Sequence, residues 1–397
     1  MSETQKHTKP NVPNLRFPGF EGEWERIRVS DLLEFFSTNS LSWEQLEYGG
    51  KEILNLHYGL IHNGLPTQIN LEECTLPSVK PDYKPRTYTL CKDGDVAFAD
   101  ASEDTNDVGK VVEFTNCADR EIVCGLHTIH GRDKLGKTVP GFKGYAFSSS
   151  AFHNQIRRIA QGTKIFSINT GCFEETFVGI PNKEEQKKIA SLLSLIDQRI
   201  AIQNKVIERY ESLIKALYSK LLPLEVDKTA ELGTLVQICK GKQLNGEFLS
   251  DEGKYYVMNG GITPSGYYDE YNTPSGTISI SEGGNSCGFV QYNEKPFWSG
   301  GHCYTLLQTN DKRIQYKFLY HFLKSKQDEI MALRIGSGLP NIQKKTIGRF
   351  LVPILPIDYQ NAITRLLDVI VKYVENEQVI LAKMTHQKSY YLSNLFI

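Results

Sequence analysis

The sequence repeats itself. Shifted by 174 positions without gaps, residues 161 to 193 superpose on 335 to 367, with identities at Gly162/Gly336, Ile168/Ile342, Val178/Val352, Ile180/Ile354, Gln186/Gln360, Ile189/Ile363, Leu192/Leu366 and Leu193/Leu367. Eight identities in 33 positions exceed the roughly two that average composition gives by chance. The chain is therefore two copies of one plan. A looser likeness lies upstream, where the Gly-Asp-Val-Ala-Phe run from Gly94 matches the Gly-Thr-Ile-Ser-Ile run from Gly276, and each copy later carries a Gly-x-His or Gly-Gly-His. A length of 397 residues leaves each copy enough material for a core, since domains hold roughly 100 to 200 residues.

Each copy ends in a long helical pattern. After Pro181 and Asn182, an N-cap type, acid fills the first turn, and a heptad-like apolar stripe runs Ile189, Leu192, Leu193, Ile196, Ile200, Val206, Ile207, Tyr210, Leu213, Ile214, Leu217, Leu221 before Pro223 stops it. The second stripe is Ile363, Leu366, Leu367, Ile370, Val374, Ile380, Leu381, Met384, Tyr391 and Leu395, and both copies place a polar residue, Gln203 and Glu377, at the third a position. Helices of about 40 residues are about 60 Å long at their 1.5 Å rise, more than one globular domain needs. The two could lie on separate cores. A stripe kept in register over six turns in both copies favours packing of the helices on each other. The remainder of each copy shows short β-branched and aromatic runs between Gly, Pro, Asn and Asp, then a helical piece, about Ser149 to Ala160 and Gln315 to Leu333. The expected class is α+β: two heads joined by two long helices, with internal repetition.

Charge sets a limit on function. With 45 Lys+Arg against 46 Asp+Glu, the net charge is −1, so nucleic acid must be held by local patches rather than by bulk charge. The eight cysteines include no C-x-x-C pair and the N-terminus is polar, which points to reduced thiols in a cytoplasm. No apolar run reaches the roughly 18 residues of a membrane span.

Several motifs imitate chemistry. Gly131 to Thr138 fits G-x-x-x-x-G-K-[ST], but Pro140, Gly141 and Gly144 follow at once and no helix can open to receive phosphate. Cys117, Cys124, His127 and His130 are metal-ligand types at a spacing, C-x6-C-x2-H-x2-H, that fits no usual zinc pattern; no metal is expected. Signatures of nicotinamide or methyl-donor cofactors, serine nucleophiles and zinc hydrolases are missing from the sequence, and its carboxylates are scattered. The isolated chain is expected to be non-catalytic and to bind no cofactor.

What recurs is polar, Gly-rich loops with basic neighbours. Lys164 follows Arg157 and Arg158; in the second copy Arg334 leads into Ser337 and Asn341, then Lys344 and Lys345. A further pair of loops carries Ser102 and Asn106 in one copy and Ser281, Asn285 and Ser286 in the other, with His127 and His302 at the Gly-x-His and Gly-Gly-His positions. Arg132, Lys134 and Lys137 add positive charge in the Walker-like string. Lys, Arg and loop N–H groups suit phosphates, while Asn, Ser and His reach base edges, so these are the candidate DNA-binding residues.

The whole resembles the specificity subunits of type I restriction-modification systems. The resemblance rests on Leu15-Arg16-Phe17-Pro18-Gly19-Phe20-Glu21-Gly22-Glu23-Trp24, on Glu185-Gln186-Lys187-Lys188-Ile189-Ala190, on Asn259 to Tyr267 and Glu282 to Gly288 in the second head, and on the two-head, two-helix plan. Asp358-Tyr359-Gln360 departs from the usual Glu-Glu-Gln. The resemblance implies a segmentation into a disordered stretch 1–13, target-recognition domains 14–181 and 223–355, and spacer helices 182–222 and 356–397. It implies two target-recognition domains of mixed α/β type joined by two long helices forming an antiparallel coiled coil, with an internal pseudo-twofold repeat; each head would read one half of a split duplex target, and the helices would set the spacing. Gln186, Ile189, Leu193, Ile196 and Gln203, with Gln360, Ile363, Leu367, Ile370 and Glu377, would pack the helices and dock two adenine methyltransferase (modification) subunits. S-adenosylmethionine, ATP and Mg would belong to those subunits and to the restriction subunits. A coiled-coil scaffold with two protein-binding heads is the alternative; a single-chain nuclease would need a carboxylate metal site that the sequence does not offer.

Overall fold

The computed structural model describes residues 11–50, 52–117, 120–222, 228–336 and 338–397. Most of the stretch 1–13, together with Pro223 and Ser337, lies outside the described residues. The chain divides into two compact units, Met1–Asn204 with Ile380–Ile397, and Lys205–Val379. This division by packing falls inside the long helices, whereas the segmentation read from the sequence followed element type.

In the first unit a five-stranded sheet has the order Leu33–Phe36, Thr128–Asp133, Val96–Ala99, Val111–Thr115, Gln68–Asn70, and a four-stranded sheet the order Ile122–Cys124, Leu54–Leu56, Ser78–Val79, Leu46–Glu47. Helices Lys143–Ser148 and Ser150–Ile159 cover the larger sheet, burying Phe142, Tyr145, Phe147 and Phe152 against Phe98. In the second unit the main sheet has the order Val236–Lys240, Cys303–Gln308, Thr277–Ser281, Val290–Asn293, beside a three-stranded sheet of Tyr267–Tyr268, Tyr255–Met258 and Trp298–Ser299. Helices Tyr316–Ser325 and Gln327–Ala332 follow, and Phe318, Leu319 and Leu323 are buried with Ile278, Ile280 and Leu306.

The first four strands of the two main sheets correspond one to one. Val96–Ala99 and Thr277–Ser281 hold the same place, as the upstream sequence likeness predicts, and the glycines opening those runs, Gly94 and Gly276, both take φ values of +82° and +70° that other residues adopt at a cost. The likeness extends further back than the sequence revealed. Each unit has a two-stranded ribbon, Glu25–Arg28 with Phe177–Ile180 and Thr229–Glu231 with Leu351–Pro353, whose first strand runs into one helical turn, Val29–Leu32 or Leu232–Leu235, and then into the first sheet strand. The repeated Val178 and Val352 lie in the ribbons, paired with Ile27 and Ala230.

The long helices are Lys183–Leu221 and Ile357–Asn394. Asn182 caps the first through its Oδ1, which accepts from Glu185 N at 2.9 Å. Here the two readings of the stripe apply to different turns. Ile189, Leu193 and Ile196 are buried in the core of the first head, and Ile363 and Leu367 in that of the second. Farther along, helix meets helix: in the second unit Tyr210 stacks on Tyr373 at 6.1 Å and 9°, and in the first Lys388 pairs with Asp197 at 2.6 Å. Ile370, Gln203 and Glu377 are half-buried.

Gln186 and Gln360 are fully buried and clamp each head to its helix with one and the same pattern. Gln186 Oε1 accepts from Val139 N (2.9 Å) while its Nε2 donates to Lys137 O (2.9 Å) and Pro181 O (2.8 Å). Gln360 Oε1 accepts from Gln315 N, and its Nε2 donates to Arg313 O and Leu355 O, each at 2.8 Å. Each amide thus makes three hydrogen bonds where its long helix joins its own head. The opening motif is likewise architectural. Arg16 grips the buried Glu185 through two 2.8 Å bonds and donates to Gly22 O and Glu21 O, and Trp24 is buried edge-on to Phe396. In the second copy an exposed Tyr359 stands where Glu185 is buried, which accounts for the departure from Glu-Glu-Gln.

Candidate nucleic-acid interface

At one end of each main sheet an exposed histidine faces a carboxylate, in equivalent positions. His127 immediately precedes the strand Thr128–Asp133, and Asp100 immediately follows Val96–Ala99; His127 Nδ1 lies 3.1 Å from Asp100 Oδ1. In the second head His302 precedes Cys303–Gln308 and Glu282 follows Thr277–Ser281, with His302 Nδ1 3.7 Å from Glu282 Oε2. The imidazoles are 49% and 62% exposed, so both rings are presented to whatever approaches this end. His127 also has φ 54°, a left-handed conformation uncommon for a side chain of this size.

Around His127 the first head assembles rings that sequence reasoning missed. Tyr58 lies edge-on to His127 at 5.1 Å and to His62 at 5.8 Å, and His57 stacks between Tyr58 and the exposed Trp43. Burial, with His127 nearby, pushes the His57 imidazole below its usual range, which favours the neutral ring at that one position. A cavity beside it is lined by Tyr58, His62, Ser102, Asp104, Asp107 and Ile165 among others. Ser102 and Asn106 shape its rim: Ser102 Oγ accepts from Asp104 N, and Asp104 accepts from Asn106 N and Nδ2. Because this loop is acidic it repels phosphate and suits amino-group donors on base edges.

In the second head the candidate loops converge. Gly283 and Asn341 form a bridge, Gly284 N donates to Pro340 O (3.0 Å), and Ile342 N to Glu282 O (2.9 Å). Asn341 and Ile335 exchange two backbone bonds, and Leu339, two residues before Asn341, is 85% exposed. Glu282 accepts from Lys240 Nζ (2.7 Å) and Tyr304 Oη (2.9 Å), while its Oε2 is buried without a hydrogen-bond partner. Lys240 lies in a strand, outside the loops named from the sequence, and the fold brings it to Glu282, which faces His302.

The structure also removes residues from the candidate set. Arg132 makes a two-pronged bond to the buried Asp95 (2.8 and 2.6 Å) and a third to Leu90 O; burial alone would raise the Asp95 carboxyl, but His130 and Arg132 outweigh it and hold it low. Ser281 and Ser286 both donate to Gly260 O at 2.6 Å. These three side chains support the loops from within, which corrects their expected role as direct contacts. Lys134 Nζ donates to Ser30 O and Lys137 pairs with Glu25. In the Walker-like string Gly131, Arg132 and Asp133 are strand residues, and Asp133 closes the following turn by accepting from Leu135 N and Thr138. Arg157, Arg158, Lys164, Asn285, Arg334, Lys344 and Lys345 are exposed.

A family profile described as Type I restriction modification DNA specificity domain matches residues 132–211 and 225–386, more than half of the chain and part of both copies. The chain belongs to that specificity family. A putative type I specificity subunit of Mycoplasma pneumoniae is 34% identical over 166 residues, 42% of this chain and 44% of that protein. One from Mycoplasma genitalium is 36% identical over 146 residues, 36% and 38% of the two chains, so the match spans less than half the length of either relative. A putative type I restriction enzyme specificity subunit of Methanocaldococcus jannaschii is 23% identical over 331 residues, 73% and 76% of the two. The crystal structure of a type I restriction-modification S subunit from M. genitalium shares the fold at a TM-score of 0.65 and 21% identity, covering 97% of this chain and 99% of that one. Among the described residues no helix is long and apolar enough to cross a membrane.

Proposed function

We propose that the chain is the non-catalytic DNA-reading subunit of a type I restriction-modification complex, each head recognising one half of a bipartite, asymmetric duplex target. The observation that carries this reading is the duplicated end of the main sheet, where an exposed histidine, a carboxylate and flanking loops recur on one scaffold with different surroundings. Equal scaffolds with unequal loops are what two unlike half-sites require. A net charge of −1 fits a protein that shares the duplex with partners supplying much of the phosphate contact. Exchanging one head, residues 38–150 or 240–330, for that of a related subunit is expected to change one half-site and leave the other, read out by mapping methylated adenines in a host carrying the complex. Simultaneous change of both halves would refute independent reading.

In this reading the long helices form an antiparallel coiled coil that sets the distance between half-sites. Support comes from each unit taken alone. In the second, Tyr210 meets Tyr373 while the later Leu217 and Leu221 share a core with the earlier Ile363 and Leu367. In the first, Asp197 meets Lys388 while the earlier Ile189 and Leu193 share a core with the later Leu395. Two modification subunits dock on the helices, and restriction subunits join them; S-adenosylmethionine, ATP and Mg are bound by those partners. Leu195 and Val369, 174 positions apart in the repeat, are 58% and 54% exposed, and an apolar residue offered twice in this way suits two copies of one partner. Leu195→Asp is expected to leave a complex with one modification subunit in place of two, measured by native mass spectrometry, and Leu195→Asp with Val369→Asp to leave none. Full assembly of the double variant would exclude this surface.

A further inference from the structure

We infer that the first head binds a zinc ion on Cys91, Cys124 and His130. The Sγ atoms of Cys91 and Cys124 and a ring nitrogen of His130 all lie within 4.8 Å of one another, and all three residues are buried. The two sulfurs are 3.6 Å apart. Tetrahedral zinc with Zn–S bonds of about 2.3 Å separates two thiolates by about 3.8 Å, so the pair already stands near coordination distance. A disulfide would need the sulfurs at about 2.05 Å.

The histidine supplies an independent sign. Its Nε2 lies 2.7 Å from Asp95 Oδ2, whereas its Nδ1 is buried with no hydrogen-bond partner, in a side chain that is 1% exposed. Buried ring nitrogens are normally satisfied. A carboxylate on one nitrogen, with the other left for a metal, is the arrangement that orients metal-binding imidazoles. Asp95 is itself fixed by Arg132 and by Lys92 N, so the ring is locked toward the thiols. Binding releases to solvent the two thiol protons and any proton on His130 Nδ1, leaves His130 neutral with Nε2–H donated to Asp95, and leaves the fourth position for water. Cys91 also lines an open cavity with Leu90, Lys92, Cys117 and Arg120, which gives the ion a way in.

Spacing alone proposes a different set, Cys117, Cys124, His127 and His130. The fold turns His127 outward to Asp100 and replaces it and Cys117 by Cys91, far upstream. The ion ties the end of strand Ile122–Cys124 in one sheet to strand Thr128–Asp133 in the other. Cys124 and His130 stand three residues either side of His127, so the metal holds both shoulders of the turn that presents that ring. This last consequence rests on the DNA-reading proposal; the ion itself does not.

The test is metal content of the full-length protein purified without chelator. Native mass spectrometry and elemental analysis are expected to give one zinc per chain, lost in Cys91→Ser and in Cys124→Ser and kept in Cys239→Ser, a half-buried thiol of the second head. Replacement by Co²⁺ is expected to produce a thiolate-to-cobalt charge-transfer band in the wild type that Cys91→Ser lacks. Should either serine variant fail to fold, the wild-type zinc content and cobalt spectrum still decide. A wild-type protein with no zinc and no cobalt band, or one whose mass is lower by two hydrogens because Cys91 and Cys124 are joined, would overturn the site. Zinc present with DNA reading unaffected by its removal would leave the site standing and refute only the link to His127.

Discussion

Gln186→Ala is expected to destabilise the first unit by about 3 kcal/mol, and Gln360→Ala the second by about the same amount, since each strands one buried N–H and two carbonyls at roughly 1 kcal/mol or more apiece. Burial makes the loss costly. Both glutamines are 0% exposed, so water cannot enter to replace the lost amide without opening the junction of head and helix. A chain of two compact units need not unfold in one step, and each variant should lower the transition of its own unit while the other stays near its wild-type midpoint. Arg16→Ala provides a contrast. It leaves Glu185, whose side chain is 1% exposed, charged and unpaired, a change that costs roughly 3 to 5 kcal/mol when an ion pair is fully buried, and it should act on the first unit alone. Chemical denaturation followed by a probe in each unit checks all three. Equal shifts of both transitions by Gln186→Ala would mean that the two units unfold together; no shift in either would mean that the clamp carries no stability.

Legibility of the sequence followed how rigidly a segment's length is held. The ribbon strand and the start of the long helix are separated by a fixed count of residues in both copies, so a gapless shift of 174 found Val178/Val352 and Gln186/Gln360 at once. The rest of the scaffold repeats just as faithfully, but its loops differ in length, so no single shift reveals that Leu33–Phe36 corresponds to Val236–Lys240. Of the candidate interface, the two histidines are legible in the sequence because a glycine and the next strand frame each of them. Asp100 is not, because a lone carboxylate after a strand carries no signal, whereas Glu282 lies inside one of the Gly-rich loops. Arg132, Ser281 and Ser286 were misjudged for the opposite reason: their types suit DNA, and only the fold shows Asp95 and Gly260 O consuming them. The burial of Gln186 is not legible in the sequence, since a buried glutamine differs from a solvated one only in what surrounds it.

Removing one heptad from both long helices at matched positions, residues 200–206 and 377–383, is expected to shorten the unread spacer of the DNA target by about three base pairs. Seven residues at a rise of 1.5 Å remove about 10 Å of helix, and each base pair advances about 3.4 Å. The choice of segments matters. They lie between Asp197 and Tyr210 on one helix and between Tyr373 and Lys388 on the other, so the paired deletion keeps the Tyr210–Tyr373 stack and the Lys388–Asp197 ion pair together, and a heptad preserves the apolar stripe. The sequences of the two half-sites should not change, because neither head is touched. Deleting residues 200–206 alone forces one of those two contacts apart and sets the Leu217 and Leu221 end of the helix one heptad out of step with the Asp197 end, so the single deletion should yield a destabilised subunit and not a shifted target. Methylated-adenine mapping of the assembled complex reads the spacing directly. A double-deletion complex that assembles and still methylates targets of the original spacing would show that the helices do not measure the distance between half-sites, and their length would then serve partner docking alone.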